Sequence, residues 1–574
     1  MKNNNIIIAA ISLLLLITSN SCQEKFLDVK PSSNWKAEDF YANEAEAYMA
    51  LSGIYGVLAH DDLYGWNFNV LMEGGTDESY TNDGNNTWGA SKYEHTSSND
   101  EIKNAWLKFY TCIQLVNLFE VNLEPSMFST AEYNRLLAKA RFYRGFCYFN
   151  LANWFGPVPL RLTPSYSQED NNIAPSPVKK VYEQVETDLL FAAEHLYHSK
   201  DASYVPGEPN KMAAHGLLAR LYLRMGGYQP YLEADDASCY FENNQQYFEQ
   251  AKQQCNIVIT DGWHDLTPAS VDSDSYRNHF MSYLQDYYDL KESLFEISFG
   301  NLEDIGIHVS GRLGNINGVE FVGTLDIPRG FCKINAALPL YYKYSAEDKR
   351  REWNIAGYRN KYSTSAQGFI MGYIFDMPLH QEYAPGKFRR WEPVDMDALK
   401  AAGSIPGAEY VILNNTPGSA TDANYTSINF PILRYSDILL MYAEASIGGR
   451  FGSQSAASDA VECLNKVRER AGLEPYLGST AHDDFFNEIV DERLRELCFE
   501  GLRKQDLIRW DLLEDKLKET NNIIRTDPSY VSNNQYHQTF LTAGNSFNRS
   551  KHLLLPYPLQ EVQINQQLDQ RTGW

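Results

Sequence analysis

Three segments of the chain share one pattern, a helix rich in small and aromatic residues that stops at a glycine. The stops are Gly156-Pro157, Gly226-Gly227 and Gly448-Gly449, and a second helical pattern follows the latter two. Small residues at helical spacing let paired helices approach closely, and such pairs stack so that neighbours bury each other's apolar faces. Because the spacing between the three segments is irregular, the sequence predicts a mostly α protein built as an irregular tetratricopeptide-like helical array.

Differences in amino-acid composition divide the chain into three further regions. Residues 36–260 are predicted to form an N-terminal helical repeat region. Within it, residues 60–100 are rich in Gly, Asn, Asp and Ser, which predicts an irregular surface excursion. Residues 261–435 carry Gly, Asn and Pro throughout with short alternating runs such as 294–299, which indicates a loop-rich insertion with a few short strands. Residues 436–574 are predicted to be C-terminal helical repeats and a tail.

The N-terminus is predicted to be a targeting segment. Residues 6–17 form an apolar run that is too short for a comfortable membrane span. Small residues then precede Cys22, an order typical of a lipoprotein signal that is cleaved before an acylated cysteine. Ser19 stands where such signals usually carry Leu, Val or Ile, so a plain secretory signal is the alternative. We predict a signal peptide over 1–21, lipidation of Cys22 and a tether over 22–35.

The charge balance limits the class of partner. The chain carries 50 Lys and Arg against 74 Asp and Glu, a formal net charge of −24. Such a chain is repelled by a phosphate backbone, and no basic run offsets the repulsion. Nucleic acid is therefore excluded as a partner. A strongly polyanionic glycan is disfavoured as well, although a local basic cleft can exist on an acidic protein.

Enzyme and metal signatures are absent from the sequence. It contains no HExxH, Walker A, GxSxG or dinucleotide-binding glycine motif. A carboxylate pair for glycoside hydrolysis cannot be recognised at this level, because the separation of the two groups is a property of the fold. No cysteines stand at metal-binding spacing, and five lie inside helical apolar patterns, where Cys behaves as a small buried hydrophobe: Cys112, Cys147, Cys255, Cys463 and Cys498. We predict no catalytic centre, no metal site and no cofactor.

Aromatic residues make up 13% of the chain and suit sugar binding. The apolar faces of sugars stack on rings, while sugar hydroxyls need amide, carboxylate or guanidinium partners. In the excursion over 60–100, Trp66 and Trp88 supply rings. Asp77 and Asn82 supply polar groups there. Each tryptophan can instead pin the excursion to the helical array, and both interpretations stay open. The insertion adds two further candidates for glycan contacts, Arg312 and Trp353.

The run from Ile489 to Trp510 places charges around an apolar stripe with three- and four-residue steps, which predicts one helix. Interleaved opposite charges favour ion pairs over catalytic carboxylates. The spacing predicts i,i+4 pairs between Asp491 and Arg495 and between Glu500 and Lys504. The side chains expected to be paired inside the helical array are Arg493, Glu496 and Arg503.

The same run resembles the helix signature of the RagB/SusD family of nutrient-uptake outer-membrane lipoproteins. That signature reads acid-Arg-x-x-Glu-Leu-x-Phe-Glu-Gly-x-Arg and is closed by Asp-Leu and Arg-Trp, and here it begins at Glu492-Arg493. Further blocks resemble the family in the same order along the chain, so the resemblance covers almost all of it. These blocks are 141–160, 210–222, 348–351, 434–445, 464–472 and 554–574.

The resemblance implies a SusD-like fold and a non-catalytic function. By analogy, the protein is a surface-exposed lipoprotein of the outer membrane that captures an oligosaccharide and delivers it to a SusC-like TonB-dependent transporter. It also implies that the glycan site lies on loops of the early region and of the insertion, with Trp88 near the position of a stacking tryptophan. Two other classes remain open: an outer-membrane glycoside hydrolase, and a protein scaffold of the tetratricopeptide type.

Overall fold

The fold is described from a computed structural model, which covers residues 41, 43–82, 89–167, 169–232, 239–268, 274–302, 307–321, 329–375, 383–414 and 422–574. Helices dominate the described residues. They are α1 (Glu44–Leu58), α2 (Asn67–Glu73), α3 (Gly89–Lys92), α4 (Asp100–Asn122), α5 (Thr130–Phe155), α6 (Val178–His195), α7 (Lys211–Gly226), α8 (Asn244–Asp261), α9 (Ser275–Leu284), α10 (Leu338–Tyr342), α11 (Arg350–Asn354), α12 (Met396–Ala402), α13 (Tyr435–Ser446), α14 (Ser458–Arg470), α15 (His482–Leu497), α16 (Arg503–Arg509), α17 (Leu513–Thr526), α18 (Gln535–Ser546), α19 (Arg549–His552) and α20 (Leu559–Ile564).

The predicted helical array is confirmed. Helix α5 packs against α4 and α6, α7 packs against α6 and α8, and α13 continues the stack on α8, α14 and α15. The helix ends depend on glycine: α5 stops at Gly156 with φ +69°, and Gly448 follows α13 with φ +78°. Residues with a side chain rarely adopt this left-handed conformation, so glycine here ends a helix and lets the next one fold back.

The strands are short and antiparallel, and most of them lie in the segment predicted to be the insertion. The central three-stranded sheet has the order β13-β10-β9, with Tyr358 opposite Tyr373. The predicted strand over 294–299 is confirmed as β4, which pairs with β15 and joins the insertion to the start of α13. The strands are β1 (Ser79–Thr81), β2 (Val158–Pro159), β3 (Pro175–Ser176), β4 (Ser293–Ile297), β5 (Gly300–Leu302), β6 (Ile307–Val309), β7 (Ile334–Ala336), β8 (Ile355–Ala356), β9 (Tyr358–Ser363), β10 (Gly368–Tyr373), β11 (Ala384–Pro385), β12 (Trp391–Pro393), β13 (Ser404–Pro406), β14 (Tyr410–Ile412) and β15 (Phe430–Arg434).

The excursion over 60–100 is more regular than predicted. A tight turn of π-helical form over Asp61–Gly65 leads into α2, and β1 then pairs with β7 of the insertion. Phe68 and Val70 of α2 are fully buried. The predicted irregular excursion is therefore wrong for residues 61–81, where a short buried helix and a strand lie among the Gly, Asn and Asp residues that favoured loops.

The run from 489 to 510 is not one helix. Helix α15 ends at Leu497, Phe499 and Gly501 have φ of +63° and +73°, and α16 begins only at Arg503. Two left-handed residues this close together are incompatible with a continuous right-handed helix. The predicted i,i+4 pairs are also wrong: Glu500 lies in the break itself, and Asp491, although it shares α15 with Arg495, accepts a hydrogen bond from Lys343 at 2.7 Å instead. Arg495 binds Glu492 at 2.6 Å, and Glu500 accepts a hydrogen bond from Lys387 at 2.7 Å.

The predicted pairing of the three charged side chains inside the array is confirmed. Glu496 is fully buried and accepts hydrogen bonds from Arg350 at 3.1 Å and Arg434 at 3.2 Å. Arg493 donates to Asp437 at 2.7 Å and to Asp506 at 2.8 Å. Arg503 donates to both carboxylate oxygens of Asp77, at 2.8 and 2.7 Å. Because Arg350 and Arg434 lie within the segment predicted to be the insertion, these ion pairs join that segment to the helical array.

The five cysteines predicted to be free and buried are confirmed as such. In the part of the chain that the structure describes, no helix combines the length and apolar composition needed to cross a bilayer.

Candidate functional site

Three distant parts of the chain meet at a half-buried cluster of rings and charges. The Arg312 guanidinium carbon lies 3.6 Å from the ring centre of Trp66 and 4.6 Å from that of Tyr425. The Tyr425 hydroxyl accepts a hydrogen bond from Arg312 Nη2 at 3.2 Å and donates to Asp61 Oδ2 at 2.9 Å. We call these four residues, Asp61, Trp66, Arg312 and Tyr425, the loop platform.

Backbone hydrogen bonds hold the three segments of the loop platform in register. The Arg312 N–H donates to the Gly65 carbonyl at 2.8 Å. Gly311 and Thr426 exchange two backbone hydrogen bonds, at 3.1 and 2.7 Å. The Trp66 ring packs from below on a buried apolar cluster formed by Val70, Ile316 and Ile334. Since each segment is fixed by its backbone or by the core, the arrangement of the side chains is preorganised.

Arg390 joins the segment of Tyr425 to a neighbouring segment at Arg329. It is 4% exposed, and it donates to the carbonyl oxygens of Arg329 at 3.1 Å, Ala423 at 3.0 Å and Tyr425 at 3.4 Å. Burial lowers the pKa of Arg390 to about 10. A buried guanidinium that contacts carbonyl oxygens in this way fixes loop backbones, and its own charge remains largely uncompensated.

The rim beside the loop platform adds one exposed ring and further polar groups. Phe331 is 40% exposed, and the Arg329 guanidinium carbon lies 5.9 Å from its ring centre. Arg329 Nη1 also approaches Asn424 Oδ1 at 3.4 Å. Burial raises the pKa of Tyr425, so its hydroxyl stays protonated and keeps donating to Asp61 at neutral pH. The surface therefore combines aromatic rings with guanidinium, amide, hydroxyl and carboxylate groups, which together suit a ligand rich in hydroxyls.

The structure brings Trp66 and Arg312 of the predicted site residues together, but not in the expected way. Arg312 covers one face of the Trp66 ring, and the ring packs on the core, so Trp66 pins the excursion. Asn82 is half-buried and follows β1, where its backbone N–H donates to the Lys333 carbonyl at 2.7 Å. Trp88 and Cys22 lie outside the described residues.

Two predicted glycan contacts need correction. Asp77 is 4% exposed and is held by Arg503 through two hydrogen bonds, so it belongs to the ion-pair network of the array. Trp353 is 5% exposed, with the guanidinium carbons of Arg389 and Arg277 at 4.5 and 5.3 Å from its ring. Because neither side chain reaches the surface, neither is available to a glycan in this structure.

Sequence reasoning missed Tyr425, Asp61, Arg329 and Phe331. Tyr425 is one of 38 tyrosines, and its Asn-Tyr-Thr context is ordinary for a loop. Asp61 lies at the start of the excursion over 60–100, in which glycan contacts were predicted. This position was the one signal in the sequence that could have identified it. The loop platform forms because residues that are 113 and 364 positions apart come into contact, and neighbouring residues in the sequence do not indicate such contacts.

A group of possible metal ligands lies elsewhere, at His279, Asp289 and Glu292. Their potential ligand atoms lie within 4.8 Å of one another. Glu292, however, accepts hydrogen bonds from Arg434 at 2.8 Å and from Arg470 at 2.9 Å. Two guanidinium groups already neutralise this carboxylate and oppose a cation electrostatically, so the group fits an ion-pair network better than a metal centre.

Comparison with known proteins adds family information. Residues 334–574 match the model of the SusD family, and residues 25–223 match a model described as "Starch-binding associating with outer membrane". The chain is 24% identical over 536 residues to SusD-like protein P2 of Formosa agariphila, covering 91% of this chain and 94% of that protein. It is 22% identical over 399 residues to the starch-binding protein SusD of Bacteroides thetaiotaomicron, covering 67% and 65% of the two chains.

Solved structures show the same fold. A SusD homolog from Bacteroides thetaiotaomicron superposes with a TM-score of 0.75 at 24% identity, covering 94% of this chain and 98% of that one. A laminarin-binding SusD-like protein superposes with a TM-score of 0.64 at 20% identity, covering 93% and 100%. The predicted SusD-like fold is confirmed.

Proposed function

The chain belongs to the SusD/RagB family, and on this premise we propose that it binds an oligosaccharide at the loop platform without cleaving it. The observation that carries the proposal is the position of Arg312 between the rings of Trp66 and Tyr425. Two relatives are named for the starch and laminarin that they bind. Those names concern the relatives.

The chemistry of the loop platform supports binding. The exposed Phe331 ring offers an apolar face on which a sugar ring stacks, while Arg312, Asp61 and Asn424 offer donors and acceptors for its hydroxyls. Preorganised side chains lower the entropy lost on binding. A rigid, half-buried platform of this kind therefore suits capture of a flexible glycan.

Replacement of Tyr425 with alanine is expected to weaken glycan binding by roughly ten-fold, the effect of losing one ring contact and the bridge between Asp61 and Arg312. Trp66→Ala is expected to act in the same direction, because it removes the ring beneath Arg312. Isothermal titration calorimetry with the best glycan of a screening array measures both. Tyr166→Ala, at a tyrosine that is 74% exposed outside the loop platform, is the matched control.

If both platform variants bind the glycan normally, the binding site lies on another part of the surface. The same experiments also test the two alternative functions. New reducing ends during incubation with the glycan would favour a glycoside hydrolase. A protein partner without any glycan affinity would favour a scaffold.

We further propose that Cys22 carries a lipid anchor in the outer membrane and that the protein delivers its glycan to a SusC-like TonB-dependent transporter. Cys22 ends the apolar run of the signal segment. A lipid anchor alone cannot move a sugar across a membrane, which motivates the partner. The Cys22→Ala variant is expected to be absent from the outer-membrane fraction, and the wild-type protein to co-purify with a large β-barrel in mild detergent. Unchanged fractionation would contradict the anchor, and recovery of the protein alone would contradict the transporter.

A further inference from the structure

Arg312 carries hydrogen-bond donors that the rest of the site leaves unused. Its side chain makes one hydrogen bond to the described residues, from Nη2 to the Tyr425 hydroxyl at 3.2 Å. Its Nε is buried without a partner, and its Nη1 has no acceptor among the residues that the structure describes. By contrast, Arg434 and Arg503 each bind carboxylate oxygens at 2.7–2.8 Å.

The charge of Arg312 is also without a direct counter-ion in the described part of the chain. The platform carboxylate, Asp61, accepts its hydrogen bond from the Tyr425 hydroxyl, which is placed between it and Arg312. A guanidinium group carries one positive charge, delocalised over its three nitrogens. The two rings that flank it at 3.6 and 4.6 Å fix the plane of the guanidinium and limit the rotamers available to it.

Two more guanidinium groups lie in the same region. Arg329 approaches Asn424, the neighbour of Tyr425, and Arg390 donates to three carbonyl oxygens of the same two segments. The described carboxylates on these segments are Asp61, Asp62 and Asp422, and Asp422 accepts a hydrogen bond from the Asn424 backbone N–H at 2.9 Å. The guanidinium groups therefore balance these carboxylates in number, and the feature that sets Arg312 apart is that no carboxylate of the described residues contacts it directly.

We propose that Arg312 is a specificity-determining residue that selects glycans bearing an anionic group, either a uronate carboxylate or a sulfate ester. The inference rests on the proposed glycan-binding function and names the substrate class of the same site. A guanidinium fork held in a fixed plane matches two oxygens of one anionic group. A ligand with hydroxyls alone would leave the charge uncompensated when the glycan displaces water.

The proposal revises the expectation drawn from net charge. Total charge acts at long range, and physiological salt screens it beyond about 8 Å. A contact ion pair at a half-buried site is screened much less. The contact made by Arg312 therefore decides the preference, and an acidic surface elsewhere mainly slows the approach of the ligand.

The test uses glucan hexasaccharides of several linkages, each in three forms: neutral, oxidised at C6 to the uronate, and sulfated at O6. Binding is measured by calorimetry at low and high salt for the wild-type protein, Arg312→Gln, Arg312→Lys and Arg525→Gln. Arg525 is exposed on α17 and bonds to Asn545, so its replacement removes one positive charge away from the loop platform.

We expect the wild-type protein to bind an anionic form more tightly than its neutral counterpart, with an affinity that falls as salt rises. Arg312→Gln should weaken binding of the anionic form by about ten-fold or more and of the neutral form by less than about three-fold. Arg312→Lys should restore part of the loss, because it keeps the charge without the planar fork. Arg525→Gln should have no effect. The preferred form distinguishes a carboxylate from a sulfate ligand.

Equal loss for neutral and anionic forms in Arg312→Gln, or a wild-type preference for the neutral form, would overturn the selection of anions while leaving glycan binding intact. Absence of wild-type binding to every form and linkage would overturn the proposed function itself. Thermal unfolding of each variant confirms that it is folded before the affinities are compared.

Discussion

Replacement of Glu496 with alanine is expected to lower the free energy of unfolding by about 3–5 kcal/mol, the usual cost of removing one partner from a buried ion pair. Glu496 is fully buried and contacts Arg350, Arg434 and Arg470. Burial alone raises its pKa, but attraction to Arg470, Arg434 and Arg350 lowers it to about 2, so the side chain is ionised in the folded protein. The variant leaves three buried guanidinium groups with one carboxylate fewer.

Urea denaturation at pH 7 followed by circular dichroism measures this loss. The matched control is Glu462→Ala on α14, where a glutamate that is 70% exposed pairs with Lys466 at 3.4 Å. Exposed pairs contribute little, so this control should change the unfolding free energy by no more than about 0.5 kcal/mol. Glycan affinity per folded molecule should be unchanged in both variants. A fully stable Glu496→Ala protein that fails to bind would instead place Glu496 at the binding site.

Glu496 also shows which features of the fold could be predicted from the sequence and which could not. Local signals predicted the helices that stop at Gly156 and Gly448, because a glycine and a change of composition lie within a few residues of each helix end. The sequence also predicted that Glu496 is paired, since interleaved opposite charges favour ion pairs. It could not supply the partners Arg350 and Arg434, which lie 146 and 62 positions away.

The loop platform was beyond prediction for a related reason. Arg312 and Trp66 were both selected from their composition and context, but nothing local indicated that one would cover the ring of the other. Tyr425 lies 113 positions from Arg312 and 364 from Asp61, and the pairing depends on how the insertion folds back. Asp77 illustrates the opposite error: an acid in a polar loop looked available, yet the fold buries it against Arg503.

A second large effect is expected from Glu78, a buried carboxyl that opposes folding at high pH. Glu78 is 2% exposed and accepts a hydrogen bond from the Phe499 N–H at 2.9 Å. Burial raises its pKa to about 8, against the smaller lowering effects of that hydrogen bond and of Arg503 and Lys387. The folded protein therefore retains a proton on Glu78 at pH values where the unfolded chain, with a pKa near 4.5, has released it.

The sign of the pH dependence follows from this difference. Between pH 4.5 and pH 8 the folded state binds more protons than the unfolded state, so stability decreases as pH rises. The contribution of Glu78 is fully present below about pH 4.5 and is lost through pH 8. Glu78→Gln removes the titration and keeps an oxygen that accepts from Phe499. We expect the variant to gain roughly 3 kcal/mol over the wild-type protein between pH 5 and pH 8.

Urea denaturation at pH 5, 6, 7 and 8 measures the difference between the two proteins at each pH. Glu519→Gln, at a carboxylate that is 49% exposed on α17, is the control and should run parallel to the wild-type protein. Parallel curves for Glu78→Gln would show that the carboxyl is already ionised in the folded state and would contradict the predicted linkage.

Glu73 is a second buried carboxyl, and its pKa is also raised well above its usual value. Burial is the main cause, followed by repulsion from Glu78. Asn317 donates to both of its oxygens, at 3.2 and 3.3 Å, and the Gly314 N–H donates to Asn317 in turn at 3.0 Å. If each carboxyl opposes ionisation of the other, then Glu78→Gln should make Glu73 easier to ionise. The gain from the double variant Glu73→Gln/Glu78→Gln at pH 8 should therefore be smaller than the sum of the two single gains, a difference that a double-mutant cycle resolves.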